Sequence, residues 1–349
     1  MTTKVYAPEM ALMAGQPVVG YSTMFRVYKN ALKEKGFDVV TEQGDIQLNF
    51  MPPLWWEGMI KRYPAKKRVV CSMWEADGVE KKWVETANKH FDALVVPNGF
   101  NKKLFESHGL TIPCYAVGLG IQKEYMNYIK RDYKKGDDFY FLHYNAGETR
   151  KGWYALIDAF DQEFKDEPNV KLIVKNSGVR ENTMNKTLSY YDDVKKKTEV
   201  HRGKYSLDQM MDLAEKAHAF VFPAIGEGYS LTPREMMATG MPVIIGSGHS
   251  FDEMADYYIK TPAELKKTGQ AYKPRIADSI SGLSYIHDPY RNYNMWYVDV
   301  DALKANMRDV YENYDQHLTQ SKKGSQDVKK SEDIDVLIKP LAELLTTLV

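Results

Sequence analysis

The chain has 349 residues, enough for about two domains. Its 47 Lys plus Arg balance 47 Asp plus Glu, with 44% hydrophobic and 27% charged residues. This ordinary globular usage excludes a disordered chain, a collagen-like fibre and a disulfide-stapled mini-protein, and the zero total argues against an all-over basic nucleic-acid binder. Two cysteines, Cys71 and Cys114, make no disulfide framework and fit a reducing compartment. The segment from Met1 to Pro8 lacks an apolar core of signal-peptide length, and no apolar run approaches the ~18 residues of a membrane span. The expectation is a soluble cytoplasmic protein, with peripheral membrane contact left open.

In chain order, Pro17–Gly20 reads as a short apolar strand. Ser22 then caps a helix whose Met24, Phe25, Val27, Tyr28, Ala31 and Leu32 share one face, and Gly36 ends it. Strands follow at Phe37–Val40, Ile46–Phe50, Arg68–Trp74 and Ala93–Val96, with a helix over Lys81–His90. From Tyr128 to Asp138 the chain is rich in Lys, Arg, Asp and Gly, which places a domain boundary between 135 and 136.

The alternation then restarts. Strands are expected at Phe139–Leu142, Val170–Val174, Ala219–Pro223 and Pro242–Ile245, and helices at Trp153–Phe164, Leu207–Ala217 and Thr232–Thr239. Residues 136–320 form this second domain, and 321–349 a linker and terminal helix that packs back toward the first. Leu318–Asp333 is polar and Lys-rich and reads as a solvated linker; Val336–Leu348 has a helical amphipathic pattern. Alternating strands and helices mean α/β domains with parallel sheets covered on both faces. In such sheets ligands bind at the carboxyl ends of the strands, and in a two-domain protein usually in the cleft between the domains.

The densest chemistry lies between Ala224 and Pro242. A strand ends, a glycine-containing loop follows and a helix begins. Such a turn offers free backbone N–H groups and the positive end of a helix dipole, both suited to phosphate. Glu227 and Glu235 bracket the loop, and a carboxylate there accepts hydrogen bonds from sugar or ribose hydroxyls. Glu235 has a second reading: Thr232 as cap, Pro233 at the first helical position and Glu235 three residues past the cap make a capping box. No cap requires Glu227.

The segment resembles the donor-binding signature of the group 1 (family 4) retaining glycosyltransferases of the GT-B fold. Two glutamates stand in the context Glu227-Gly-Tyr-Ser-Leu-Thr-Pro-Arg-Glu235-Met-Met-Ala-Thr-Gly-Met-Pro-Val. The strand His218–Pro223 and the acidic turn Phe251-Asp252-Glu253 match the signature's flanks. The resemblance implies two Rossmann-like domains with parallel sheets facing across a cleft. It implies that Glu227 touches the donor sugar, Glu235 the ribose, and Gly228, Tyr229, Ser230, Leu231 and Thr232 the diphosphate and sugar.

The loop Leu142–Trp153 resembles the family's basic pair before a glycine. Arg150 grips phosphate oxygens in a bidentate way and Lys151 adds a point charge, offsetting the leaving diphosphate in place of a metal ion. Many relatives carry the arginine several residues earlier, so the match is firmer at Lys151. A solvated basic turn is the plainer alternative.

The first domain carries weaker landmarks. Gly20 ends a strand where relatives have a glycine-rich loop. Trp74, Glu75 and Asp77, with Trp83, resemble a tryptophan–acid pattern near the acceptor, or are solvated surface acids. Val95–Phe105, Val117–Ile121 and Met295–Leu303 match further landmarks. Gly246–Phe251 lacks the third glycine of a dinucleotide fingerprint, and the histidines show no metal-ligand spacing. A lone strand-end histidine, His143, reads as structural.

Residues 1–135 contain 20 Lys plus Arg and 14 Asp plus Glu, leaving 27 against 33 in residues 136–349. The +6 and −6 domains, with basic clusters among tryptophans in the first, suit a phosphate-bearing acceptor, either DNA or an anionic glycolipid surface. Ordinary solvated helix faces would look the same.

The leading expectation is a metal-independent retaining glycosyltransferase with a nucleoside-diphosphate donor such as UDP-glucose or GDP-mannose and no cofactor. Its acceptor is a hydroxymethylated DNA base, as for some viral enzymes acting in a host cytoplasm, or a glycan or glycolipid. The alternatives are a nucleotide-sugar epimerase or hydrolase of the same fold, or a non-catalytic sugar-nucleotide-binding module.

Overall fold

The computed structural model describes residues 3–7, 19–40, 44–145, 148–176, 188–189, 191–268 and 290–348. The chain divides into two compact units, Met1–Ile121 with Ser331–Val349, and Gln122–Lys330.

The first unit is built on β1 (Lys4–Tyr6), α1 (Val19–Glu34), β2 (Asp38–Val40), β3 (Ile46–Phe50), α2 (Trp56–Arg62), β4 (Arg68–Cys71), α3 (Lys81–His90), β5 (Ala93–Val96), α4 (Gly99–Ser107) and β6 (Cys114–Ala116). The strands form one parallel sheet in the order β2-β1-β3-β4-β5-β6. The central strands β4 and β5 are buried along their whole length, which explains their unbroken apolar character. On one face Phe25 and Tyr28 of α1 pack edge-on against Phe50; on the other Trp56 packs on Phe91 and Phe105.

The start of this unit differs from expectation. Val19 and Gly20 belong to α1, not to a strand, and Pro17 and Val18 lie outside the described residues. The helical period of Tyr21, Met24, Phe25, Tyr28, Ala31 and Leu32, all buried, already governs this stretch. Ser22 is therefore inside the helix rather than its cap. The true first strand is Lys4–Tyr6, only three residues long.

The second unit contains β7 (Phe139–Asn145), α5 (Trp153–Phe164), β8 (Val170–Asn176), α6 (Asp192–Lys196), β9 (Thr198–Arg202), α7 (Leu207–Lys216), β10 (Ala219–Phe222), α8 (Leu231–Ala238), β11 (Val243–Gly246), β12 (Ile259–Thr261), β13 (Ala263–Lys267), β14 (Asn294–Val298), α9 (Val300–Glu312) and α10 (Tyr314–Ser331). Its main sheet is parallel, in the order β12-β11-β10-β7-β8-β9, and β13 pairs antiparallel with β14. The chain leaves β7 toward β8 and β9 on one side and returns to β10 on the other. The carboxyl ends of β7 and β10 thus flank the topological switch point, where open α/β sheets bind ligands. Below it, Trp153, Phe160 and Phe164 of α5 pack with Phe139, Phe141, Leu172 and Val221 of the sheet and with Leu303, Met307 and Val310 of α9. Each such side chain stabilises the fold by about 1.5–3 kcal/mol when fully buried.

Composition places the boundary at 135/136, but residues 122–135 pack with the second unit. The reason is Arg131, which is buried and uses all five guanidinium N–H groups. Nε donates to Ala217 O, Nη1 to Ile129 O and Thr239 O, and Nη2 to Ala214 O and Thr239 Oγ1. All but Ile129 O lie at the C-terminal ends of α7 and α8, where helix dipoles favour a cation. Burial still lowers its pKa to about 10.

The stretch expected to be a linker, Leu318–Asp333, is for the most part helical, within α10. Its buried side is His317, Ser321, Gly324, Ser325 and Val328, a helical stripe of small and polar residues that hydropathy does not register. Ser325 Oγ donates to Ala238 O at 2.5 Å. After Lys330 the chain rejoins the first unit. Ile121 N–H donates to Glu332 O, and short helices at Ile334–Leu337 and Lys339–Thr347 bury Ile338, Leu341 and Leu345.

These bounds remove the charge asymmetry. Counted over residues 1–121 and 331–349, the first unit has 16 Lys plus Arg and 16 Asp plus Glu, leaving 31 and 31 for the second. Half of the basic excess belongs to residues 122–135, and the acids of 331–349 offset the other half. Among the described residues, no helix is long and apolar enough to cross a membrane.

Candidate functional site

After β7 the chain passes through residues 146 and 147, which lie outside the described residues, into a 3-10 turn at Thr149–Lys151. Gly152 follows in the left-handed region at φ 74° and starts α5. Opposite it, β10 ends and the loop Pro223–Tyr229 leads to α8. The two segments are joined by backbone: Ile225 N–H donates to Arg150 O at 2.8 Å. They are also joined by charge. Arg150 Nη1 donates to Glu227 Oε1 at 2.9 Å and to Gly226 O at 3.0 Å, and Lys151 Nζ to Glu227 Oε1 at 2.6 Å. Arg150 Nε also pairs with Glu148 at 2.8 Å, and Lys151 lies over the Phe222 ring at 5.7 Å. The Glu227 side chain is only 5% exposed, against 13% and 15% for the two cations. The three expected residues therefore form one cluster at the switch point, with both cations on the same carboxylate oxygen.

The loop enters α8 through Ser230, which caps the helix at φ 65° without a side-chain cap bond. The helix begins at Leu231, one residue before the expected start. Thr232 is not its cap, and the capping-box reading of Glu235 falls with it. Glu235 is instead buried in the body of the helix, beside the 3-10 turn Lys123–Met126. Burial pushes its carboxyl up to about 7, with a hydrogen bond from Gln122 opposing the shift. Tyr229 is buried, with the Arg234 guanidinium 4.1 Å from its ring centre. The first N–H groups of α8, at Leu231 and Thr232, follow Glu227 by four and five residues.

Two histidines border the cluster. His143, fully buried on β7, donates from Nδ1 to Val221 O at 2.7 Å and stacks on Phe222 at 5.5 Å. Burial, with Lys151 adding to it, lowers its pKa to about 4 against the Val221 bond, so it is neutral near pH 7. His249, in the loop after β11, has no motif to announce it in the sequence. It is 3% exposed, with Nε2 donating to Ala224 O at 3.3 Å.

In the first unit, the Trp74 indole is not available to a ligand. It is 1% exposed, edge-on to Trp83 at 4.7 Å, with Nε1 donating to Gly78 O and its backbone N–H to Asn101 Oδ1. Glu75 and Asp77 are half-buried in the same loop, at the carboxyl end of β4. Gly20 is exposed on α1, with open space around its Cα. Among the described residues no group of His, Cys, Asp and Glu has the geometry of a metal site.

Two doubly wound α/β units, one with an ion-paired carboxylate at its switch point, define the GT-B class of fold. Residues 126–283 match the model of the family Glycosyl transferases group 1. Similar solved structures include HepE of Anabaena in complex with UDP and glucose, 12% identical, with 99% of this chain and 100% of that one covered and a TM-score of 0.70. Sucrose-phosphate synthase from Thermosynechococcus elongatus is 13% identical over 97% of this chain and 82% of that one, at 0.65. TarM of S. aureus is 11% identical over 88% of this chain, at 0.62; this chain spans 55% of TarM. No curated protein matches the sequence.

Proposed function

We propose that the protein transfers a hexose from a uridine-diphosphate sugar to an acceptor hydroxyl with retention of configuration. The observation that carries this reading is the Arg150–Glu227–Lys151 cluster at the switch point, beside the start of α8. Uridine diphosphate is the nucleotide of choice because HepE was solved in complex with UDP and glucose.

In this reading Glu227 receives hydroxyls of the donor sugar and Glu235 the ribose. The loop Gly228–Thr232 receives the diphosphate, helped by the dipole of α8. Arg150 and Lys151 turn from Glu227 to the phosphates as charge develops on the leaving group, supplying the electrostatic stabilisation without a metal ion. The bond from the anomeric carbon to the phosphate oxygen breaks as the bond to the acceptor oxygen forms on the same face. The acceptor proton passes to a departing phosphate oxygen, so no covalent enzyme intermediate is needed.

The acceptor proposed is a glycan hydroxyl. With 16 charges of each sign, the first unit gives a polyanionic acceptor no net electrostatic advantage, and the DNA reading loses its main support. Glu75 and Asp77 are the acceptor-side residues proposed; Trp74 supports their loop. The test supplies radiolabelled UDP-glucose with oligosaccharides or with hydroxymethylated duplex DNA, and assigns the anomeric configuration of the product by NMR. An α-linked glucoside from UDP-α-glucose supports the reading. An inverted product, release of free glucose alone, or labelled DNA overturns the part it contradicts.

A further inference from the structure

Among the described residues, only two that are not glycine have positive φ, Ser230 at 65° and His249 at 45°. Both flank Glu227. A side chain pays for this conformation, and it persists only where the surroundings enforce it. At Ser230 it turns the chain into α8. At His249 no helix or hairpin follows; a 3-10 turn at His249–Glu253 begins there, after Gly248.

What the conformation delivers is the imidazole. Gly248, at φ 87°, lies so close to Trp296 that a Cβ would fall 2.0 Å from its ring, and its N–H donates to Asp252 Oδ1 at 2.6 Å. The next residue is thereby turned inward. The His249 ring is held by Phe251 at 4.4 Å and by Trp296, edge-on, at 5.5 Å. Since a carbonyl only accepts, Nε2 is the protonated nitrogen and donates to Ala224 O. Burial keeps the ring neutral, with Glu227 among the nearby charges.

The later residues of the loop from Ala224 to Glu227 are fastened by Arg150 and Lys151, through Gly226 O and the Glu227 carboxylate. Ile225 N–H reaches Arg150 O, and Ile225 O accepts from Trp296 N–H at 2.9 Å. Both are backbone bonds that any side chain at these positions would allow. His249 supplies a side-chain hold at the residue before them.

We infer that His249 is a positioning residue for Glu227: its strained backbone presses the imidazole against Ala224 O and fixes the loop that carries the carboxylate. The inference deepens the proposed function, naming a residue of the same site.

The test compares His249→Gly, which removes both strain and ring, with His249→Asn, which tolerates positive φ and keeps an amide donor. Readouts are kcat and KM for UDP-glucose, the melting temperature, and hydrogen exchange at Ile225 N–H. Expected for His249→Gly are a kcat at least tenfold lower in folded protein and Ile225 exchange at least tenfold faster. Expected for His249→Asn is recovery to within about threefold of wild type in both. A folded His249→Gly variant with Ile225 exchange unchanged overturns the inference, as does a melting-temperature loss with kcat intact. If wild-type protein turns over no sugar nucleotide, the proposed function fails by itself, and Ile225 exchange still decides the role of His249.

Discussion

The Gly152 Cα stands against the Pro223 carbonyl so closely that a Cβ there would lie 1.8 Å from its oxygen. This contact brings the turn carrying Arg150 and Lys151 against the end of β10, and Ile225 N–H to Arg150 O follows from it. At φ 74° the position is also left-handed. Gly152→Ala is thus expected to meet backbone that cannot yield and a strained φ together, costing about 3 kcal/mol or more. A thermal melt of the variant measures this. At roughly 2–4 °C per kcal/mol for a domain of this size, a fall under 3 °C would contradict the close approach.

Glu227→Ala is expected to abolish sugar transfer while the fold persists. Arg150 keeps Glu148 and the Gly226 carbonyl, and Lys151 keeps the Phe222 face, so the two cations are not stranded. A stability loss of about 1–3 kcal/mol is expected from the lost charged hydrogen bonds. Turnover of UDP-glucose alongside circular dichroism separates the two effects. Full activity in the alanine variant would sink the assignment.

Glu235 links stability to pH. Its folded pKa, about 7, exceeds the ordinary 4.5, so the native state binds the proton more tightly than the unfolded chain. The stabilisation this proton provides is present at low pH and is lost as pH rises from about 4.5 to 7. Over that window the effect is on the order of 3 kcal/mol. Buried His143 and His249 and half-buried His218, each lowered to about 4, act oppositely below pH 6.5. The measurement is therefore the difference between wild type and Glu235→Gln. The variant is expected to gain relative stability from pH 5 to pH 8; a pH-independent difference would show that folding leaves the Glu235 carboxyl unshifted.

Arg131→Met is expected to cost 3 kcal/mol or more. Four carbonyls, three of them at two helix ends, and the Thr239 hydroxyl lose their donor at once. Denaturant unfolding reads the loss, and Thr239→Val, which removes one acceptor, should cost much less. Equal losses in the two variants would show that the guanidinium is not the shared tie.

Much of the second unit's architecture is legible in the sequence, because its strands are buried runs such as Ala219–Phe222 and its helices carry regular apolar faces such as Trp153–Phe164. Arg150, Lys151 and Glu227 can be singled out because they stand beside glycines at strand ends. Their pairing cannot, since it depends on which strands are neighbours in the sheet. The capping-box alternative for Glu235 fails because Ser230, not Thr232, caps the helix, in a conformation that serine seldom adopts. His249 is invisible for a related reason: its signal is a backbone angle, not a residue pattern. The charge split fails for two reasons: the segment around Arg131 looks solvated by composition, whereas its guanidinium is saturated by carbonyls inside the second unit, and the acidic residues 331–349 belong to the first. The small-residue side of α10 escapes hydropathy altogether.

One unit of this protein is made from both ends of the described chain. Gly120, at φ 68°, abuts Ile334, and Ile121 N–H meets Glu332 O. During synthesis from the N-terminus, the sheet β1–β6 emerges first yet lacks these partners until some two hundred residues later. The intervening unit is continuous and can finish folding on the ribosome before the earlier one closes. The first unit, begun first, is thus the last to receive all of its residues.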